Sequence, residues 1–152
     1  MPESNNKNAK ALQSDEALSE AFPGGLDPDP SYVGHPLPHD HGGHTQEILR
    51  YMPSLEDASA CAEIFQLLSD PSRLRIVWLL ARKEECGINI AAAVDMTPAA
   101  VSHHLKTLRM GGLINGRRNG KEVYYSLVPS DRALFVKEAL DKVLDAFNDP
   151  DA

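Results

Sequence analysis

At 152 residues, with 42% hydrophobic residues and a formal net charge of −7, the chain has room for one domain and a tail, and its composition fits a soluble, mainly helical protein. Two cysteines, Cys61 and Cys86, exclude a disulfide framework, and no apolar run approaches the length of a membrane span. The stretch MPESNNKNAK lacks the apolar run of a secretory leader, so the expected location is cytoplasmic, with reduced thiols and no membrane partner.

The net charge hides a gradient. Residues 1–60 hold three basic and ten acidic side chains, whereas residues 101–125 hold five basic and one acidic. A compact basic segment in an acidic chain says more about partners than the total does.

Composition changes near residue 45. Between Phe22 and His44 fall five prolines and five glycines, a balance that builds no packed core. The stretch HPLPHDHGGHT gathers His35, His39, His41 and His44, four of the six histidines. Ahead of it, Leu12, Leu18 and Phe22 give only a faint helical spacing. Residues 1–50 are expected to be a disordered or weakly ordered arm, and residues 51–149 the folded domain.

From Thr45 the punctuation is that of helices. Thr45 is placed to cap a short turn, QEILRYM, which Pro53 stops. Ser54 with Asp57 reads as a capping box, opening a helix to about Ser69 with Ala58, Cys61, Ala62, Phe65 and Leu68 on one face. Asp70-Pro71, a cap followed by proline, starts a second helix through PSRLRIVWLLARKEE. A short third helix covers about Ile88–Val94, and Asp95-Met96 is a tight turn. Thr97-Pro98 repeats the cap for a fourth helix, PAAVSHHLKTLRM, which Gly111-Gly112 ends. LINGRR and EVYYSL, joined through Asn119-Gly120, alternate as a β-hairpin. A last helix, about Ser130–Asn148, puts Val136, Ala139, Leu140, Val143 and Phe147 on one stripe. That stripe needs a partner surface, from its own domain or from a second copy of the chain.

Helix, tight turn, helix and two-stranded ribbon is the order of a winged helix-turn-helix, a mainly α fold of five or six helices with a small β-hairpin wing. On the fourth helix Val101, Leu105 and Leu108 cluster toward the core. Ala99, Ser102, His103, Lys106 and Met110 lie opposite, with Arg109 at the margin. Hydroxyl, imidazole and cationic groups suit base edges and phosphates in a major groove. Arg117, Arg118 and Lys121 put three cations on the ribbon tip, suited to backbone or minor-groove contact. The candidate DNA contacts are therefore Ser102, His103, Lys106, Arg109, Arg117, Arg118 and Lys121. His104, beside the core face, is expected to be a packed or capping histidine. No nucleophile–base pair, phosphate loop or paired carboxylates point to an enzyme.

The motifs DPSRLRIVWLL, AAVSHHLKTL, GLI and RRNGKEVYYSL together resemble the ArsR/SmtB family of bacterial winged-helix repressors over about residues 55–147. The resemblance implies a homodimer through the first and last helices, bound to a roughly palindromic double-stranded operator and released by a ligand. Two metal-site types of that family bear on this chain. For the last-helix type the matching positions are Pro129, Asp131, Lys142 and Asp145, where Lys142 opposes a cation and a Glu138–Lys142 pair reads as a solvated strip. That site is read as lost. For the other type, Cys86 in EECGIN matches the cysteine at the start of the third helix, but Gly87 or Asn89 replaces the second ligand.

The expected missing donors are His35, His39, His41 and His44, with Asp40 and Cys61 as weaker candidates. A thiolate with imidazoles suits zinc first, and nickel or cobalt next. Cys61 is otherwise expected in core or dimer packing. Two alternatives stand beside this metal-released repressor. One is a thiol switch using Cys61 and Cys86, disfavoured by Glu84 and Glu85 beside the thiol. The other is a metal-buffering or delivery protein with a His-rich arm.

Overall fold

The computed structural model describes residues 28–30, 32, 34, 37–39, 45 and 48–148. The Leu12, Leu18 and Phe22 pattern, with His35, Asp40, His41 and His44, lies outside the described residues. The chain divides into two compact units, Met1–Ala58 and Ser59–Ala152. In the first, the Asp29 N–H donates to the Arg50 carbonyl at 3.0 Å, and a short 3₁₀ turn spans Leu49–Tyr51.

From Leu55 onward five helices follow, α1 Leu55–Leu68, α2 Pro71–Leu80, α3 Gly87–Val94, α4 Pro98–Met110 and α5 Asp131–Asn148. The caps expected at Ser54, Asp70 and Thr97 are made, whereas the turn at Leu49–Tyr51 is preceded by Ile48 with no side-chain cap rather than capped by Thr45. The Ser54 hydroxyl accepts from the Asp57 N–H at 3.0 Å and donates to the Asp57 carboxylate at 2.7 Å. Asp70 accepts from the Arg73 N–H at 2.9 Å and Thr97 from the Ala100 N–H at 3.2 Å, each with proline in the first turn. These oxygens satisfy amide donors that the first turn of a helix leaves unpaired.

Two helix ends close by the same double hydrogen bond around a left-handed residue. At the end of α4, Gly112 (φ 72°) lets the Leu113 N–H reach the Leu108 carbonyl at 3.1 Å and its own N–H reach Arg109 at 3.0 Å. At the end of α3, Asp95 takes that conformation at φ 56°, and the Met96 N–H reaches the Ala91 carbonyl at 3.0 Å. The chain thereby turns sharply enough to set α4 against α3.

The sheet is antiparallel in the order β1-β3-β2, with β1 Glu85–Cys86, β2 Ile114–Asn119 and β3 Glu122–Leu127. Two expectations are corrected here. The second helix stops at Leu80 rather than running through Glu85, because RKEE, beyond the Ala81 cap, offers no further apolar residue to the core. Glu85 and Cys86 instead pair with Tyr125 and Tyr124 along the open edge of β3. The hairpin turn is also one residue further on than Asn119-Gly120. Asn119 pairs with Glu122, so Gly120 (φ 63°) and Lys121 are the turn, a glycine-first arrangement equally matched to strand twist.

The core is built from Ile76, Val77 and Leu80 of α2, Ile90, Ala91 and Val94 of α3, and Val101, Leu105 and Leu108 of α4. Leu113, Ile114, Val136 and Leu140 complete it. Helix α1 has no buried residue; Ile64, Leu67 and Leu68 lean on the core, while Cys61, Ala62 and Phe65 are exposed. Of the core or dimer packing expected for Cys61 and its face, the core half is thus corrected for Cys61, Ala62 and Phe65, while Leu68 of that face does meet the core. α1 carries two apolar rows that meet at Leu68, and the domain takes Ile64 and Leu67 from the other one. On α5, Ala133, Val136 and Leu140 are buried, but Val143 (52% exposed) and Phe147 (82%) extend the same stripe uncovered. Among the described residues no helix is long and apolar enough to cross a membrane.

Candidate nucleic-acid interface

Helix α4 is held from behind. Its Val101, Leu105 and Leu108 are at most 3% exposed, so the opposite face is fixed in orientation by the core. Arg75 of α2 adds a second constraint, donating to the carbonyls of Val94 (3.0 Å) and Ala93 (3.3 Å) at the end of α3. The helix preceding the turn is therefore tied to α2 through its own last carbonyls.

Ser102, His103, Lys106, Arg109 and Met110 are all exposed on the outer face of α4. His104 is partly buried, its Nδ1 3.8 Å from an Asp70 carboxylate oxygen and without a hydrogen-bond partner. It is a packed histidine, as expected. Asp70 is held below its ordinary carboxylate value chiefly by the Arg73 N–H; burial opposes this, and the charges of His104 and Arg73 add smaller lowering effects.

The wing cations are not equivalent. Arg118 donates from Nε to the Gly120 carbonyl at 3.3 Å across the turn, and Lys121 is exposed within it. Arg117 is not the free tip cation expected. It stands two strand residues below the turn, opposite Tyr124, with its guanidinium 2.6 Å from the Glu84 carboxylate. The same guanidinium lies 5.9 Å from the Tyr124 ring centroid. That hydrogen bond and charge raise the Arg117 pKa further above its already high ordinary value. Between α4 and the wing opens a cleft of about 240 Å³, whose lining includes Cys86, Ser102, Lys121, Glu122 and Tyr125.

The candidate metal donors are scattered by comparison. Cys86 is 6% exposed, pairs in β1 and immediately precedes α3, where its side chain makes no capping bond. Its neighbour Glu85 is taken up by Lys83 at 2.9 Å and Asn89 at 2.8 Å, which lower its pKa. Cys61 is exposed, and both thiols are free. His39 is exposed. Among the described residues no group of three or more His, Cys, Asp or Glu side chains is arranged to hold a metal ion. On α5 the ion pairs run from Asp141 to Arg82 (2.6 Å) and Lys137 (3.8 Å), not through Glu138–Lys142.

Residues 70–115, which span α2 through the start of β2, match the family described as bacterial regulatory protein, arsR family. A transcriptional repressor SmtB homolog from Synechocystis is 41% identical over 101 residues, covering 64% of this chain and 76% of that protein. The chain belongs to the ArsR family. Its fold and family are those of DNA-binding transcriptional regulators.

A second relative, the cadmium resistance transcriptional regulatory protein CadC of Listeria innocua, is 39% identical over 70 residues, 45% of this chain and 59% of that protein. Among solved structures, the homodimeric winged helix-turn-helix DNA-binding domain of Mb0332 from Mycobacterium bovis superposes with a TM-score of 0.53. It shares 28% identity and covers 62% of this chain and 88% of that one. Sequence reasoning missed the roles of Arg75 and Glu84. Arg75 sits in an ordinary amphipathic pattern. Glu84 was legible only as one of two acids beside a cysteine.

Proposed function

We propose that the chain is a homodimeric repressor that binds a double-stranded operator and is released by a transition-metal ion, zinc first and nickel or cobalt next. The observation that carries the DNA half is the exposed row Ser102, His103, Lys106 and Arg109 on a helix locked from behind, next to a wing bearing Arg118 and Lys121. In this reading α4 enters the major groove, its polar row reads base edges, and the wing touches phosphate. The uncovered apolar residues Phe65 on α1 and Val143 and Phe147 on α5 support pairing of two copies through the first and last helices.

The metal half rests on donor chemistry and on the relatives, one of which is named for cadmium resistance. The described residues do not by themselves make a site. Of their two free thiols, Cys86 is the favoured donor, and its neighbouring carboxylate is already engaged. The proposed further donors are His35, His39, His41 and His44, since zinc takes about four ligands and accepts sulfur and imidazole together. Asp40 and Cys61 are the weaker candidates.

The test is fluorescence anisotropy of a labelled fragment from the gene's own upstream region with reduced, metal-free protein, titrated separately with zinc, nickel, cobalt and cadmium. Release by one metal, reversed by chelator and abolished by Cys86→Ser or by deletion of residues 35–44, is the expected result. A complex indifferent to all four ions refutes metal-driven release. Tight zinc binding with no affinity for any such fragment would instead favour a metal-buffering protein.

A further inference from the structure

Arg117 reaches the wing already holding an anion. Its guanidinium lies 2.6 Å from Glu84, with the two side chains 61% and 38% exposed, on the same hairpin that carries the proposed phosphate contacts. Glu84 is not there by the chance swing of a long side chain. It directly precedes β1, and the pairing of Glu85 with Tyr125 and Cys86 with Tyr124 anchors its backbone to the wing sheet. The carboxylate is therefore built in beside β2. Neither Arg118 nor Lys121 has a carboxylate partner among the described residues, so the three wing cations differ in kind.

A carboxylate on a guanidinium uses the same two-oxygen chemistry as a backbone phosphate. We infer that Glu84 is an internal competitor for DNA at the wing, occupying Arg117 in the free protein so that a phosphate must displace or share it. This rests on the proposed wing–phosphate contact and adds a setting to it. Arg118 and Lys121 are available at first encounter, and Arg117 is available only by exchange. Glu84 thus lowers affinity for any duplex, because the competition is for backbone and not for base edges.

The experiment compares wild type, Glu84→Gln, Arg117→Ala, the double variant and Arg118→Ala, by anisotropy on operator and unrelated duplex across a salt series. Glutamine keeps the shape and removes the charge at an exposed position. Exposed ion pairs are weak, so Glu84→Gln is expected to tighten binding about two- to fivefold on both duplexes. The released cation should steepen the log–log salt slope by about 0.9.

In the Arg117→Ala background the same substitution should leave the slope unchanged. An equal gain with and without Arg117 would overturn the inference, because Glu84 would then act as a general negative charge. An unchanged slope in Glu84→Gln would also overturn it. Arg118→Ala keeps the two levels apart. If it flattens the slope while Glu84→Gln does nothing, only the inference fails, and if it too leaves the slope untouched, the wing does not reach phosphate.

Discussion

Substituting Gly111 by alanine tests how α4 is seated against α1. Gly111 has φ −76° and ψ 0°, a conformation open to any residue, so its glycine is not there for the backbone. A methyl group added at its Cα would lie 2.3 Å from Leu67 Cδ1, 2.7 Å from Cδ2 and 3.1 Å from Cγ. Both leucine methyls are too close, so exchanging them by rotation does not clear the space. Leu67 must leave its place against the core, or α1 must shift. Overpacking of this kind costs about 1–3 kcal/mol. The smaller entropy of the unfolded alanine chain offsets about 0.4–1 kcal/mol of that. Gly111→Ala should therefore destabilise the protein by up to about 2.5 kcal/mol, less the more readily Leu67 turns aside, seen as a lower urea midpoint by circular dichroism at one fixed protein concentration. The decisive comparison is a double-mutant cycle with Leu67→Ala. That substitution is destabilising alone, but it empties the contested volume, and Gly111→Ala on its background should be neutral or slightly stabilising. An equal cost in both backgrounds refutes the steric account.

Removing the Arg118 charge by Arg118→Ala should weaken binding to operator and unrelated duplex alike and reduce the salt slope by about one, measured by anisotropy from low to moderate salt. His103→Ala should act in the opposite sense on selectivity, narrowing the ratio between operator and unrelated DNA while leaving the salt slope in place. Asp70→Ala should cost about 1 kcal/mol at neutral pH through loss of the α2 cap. Because the folded carboxylate titrates below its ordinary value of 3.8, its contribution is complete above that pH and is lost as pH falls through the lower folded value. The gap in urea midpoint between wild type and Asp70→Asn should accordingly be widest at neutral pH and shrink only in acid below about pH 4.

What could be read in advance follows from the range of the interactions involved. Caps at Ser54, Asp70 and Thr97 act over three residues, and each is found where the residue types put it. The outer face of α4 was legible for a similar reason. Three buried residues at helical spacing define which way a thirteen-residue helix faces, and every polar candidate falls on the other side. Even the turn that misplaced Asn119 slipped by only one residue, since both Asn119-Gly120 and Gly120-Lys121 satisfy a two-residue hairpin.

The features that escaped are those decided by a distant partner. Helix propensity favours carrying α2 through ARKEE, and nothing local reveals that the edge of β3, nearly forty residues on, will claim Glu85 and Cys86. Two apolar rows on α1 satisfy the same period, so periodicity cannot choose between them; Leu67 is selected because Gly111 leaves it room. The Glu84–Arg117 pair spans 33 residues and exists only because β1 forms. That dependence has a functional consequence. The register places Cys86 against Tyr124 and Tyr124 against Arg117, so the geometry of one short strand governs the surroundings of both the candidate effector thiol and the wing's paired cation. A two-residue strand too short to register in any periodicity thus bears on both halves of the proposed function.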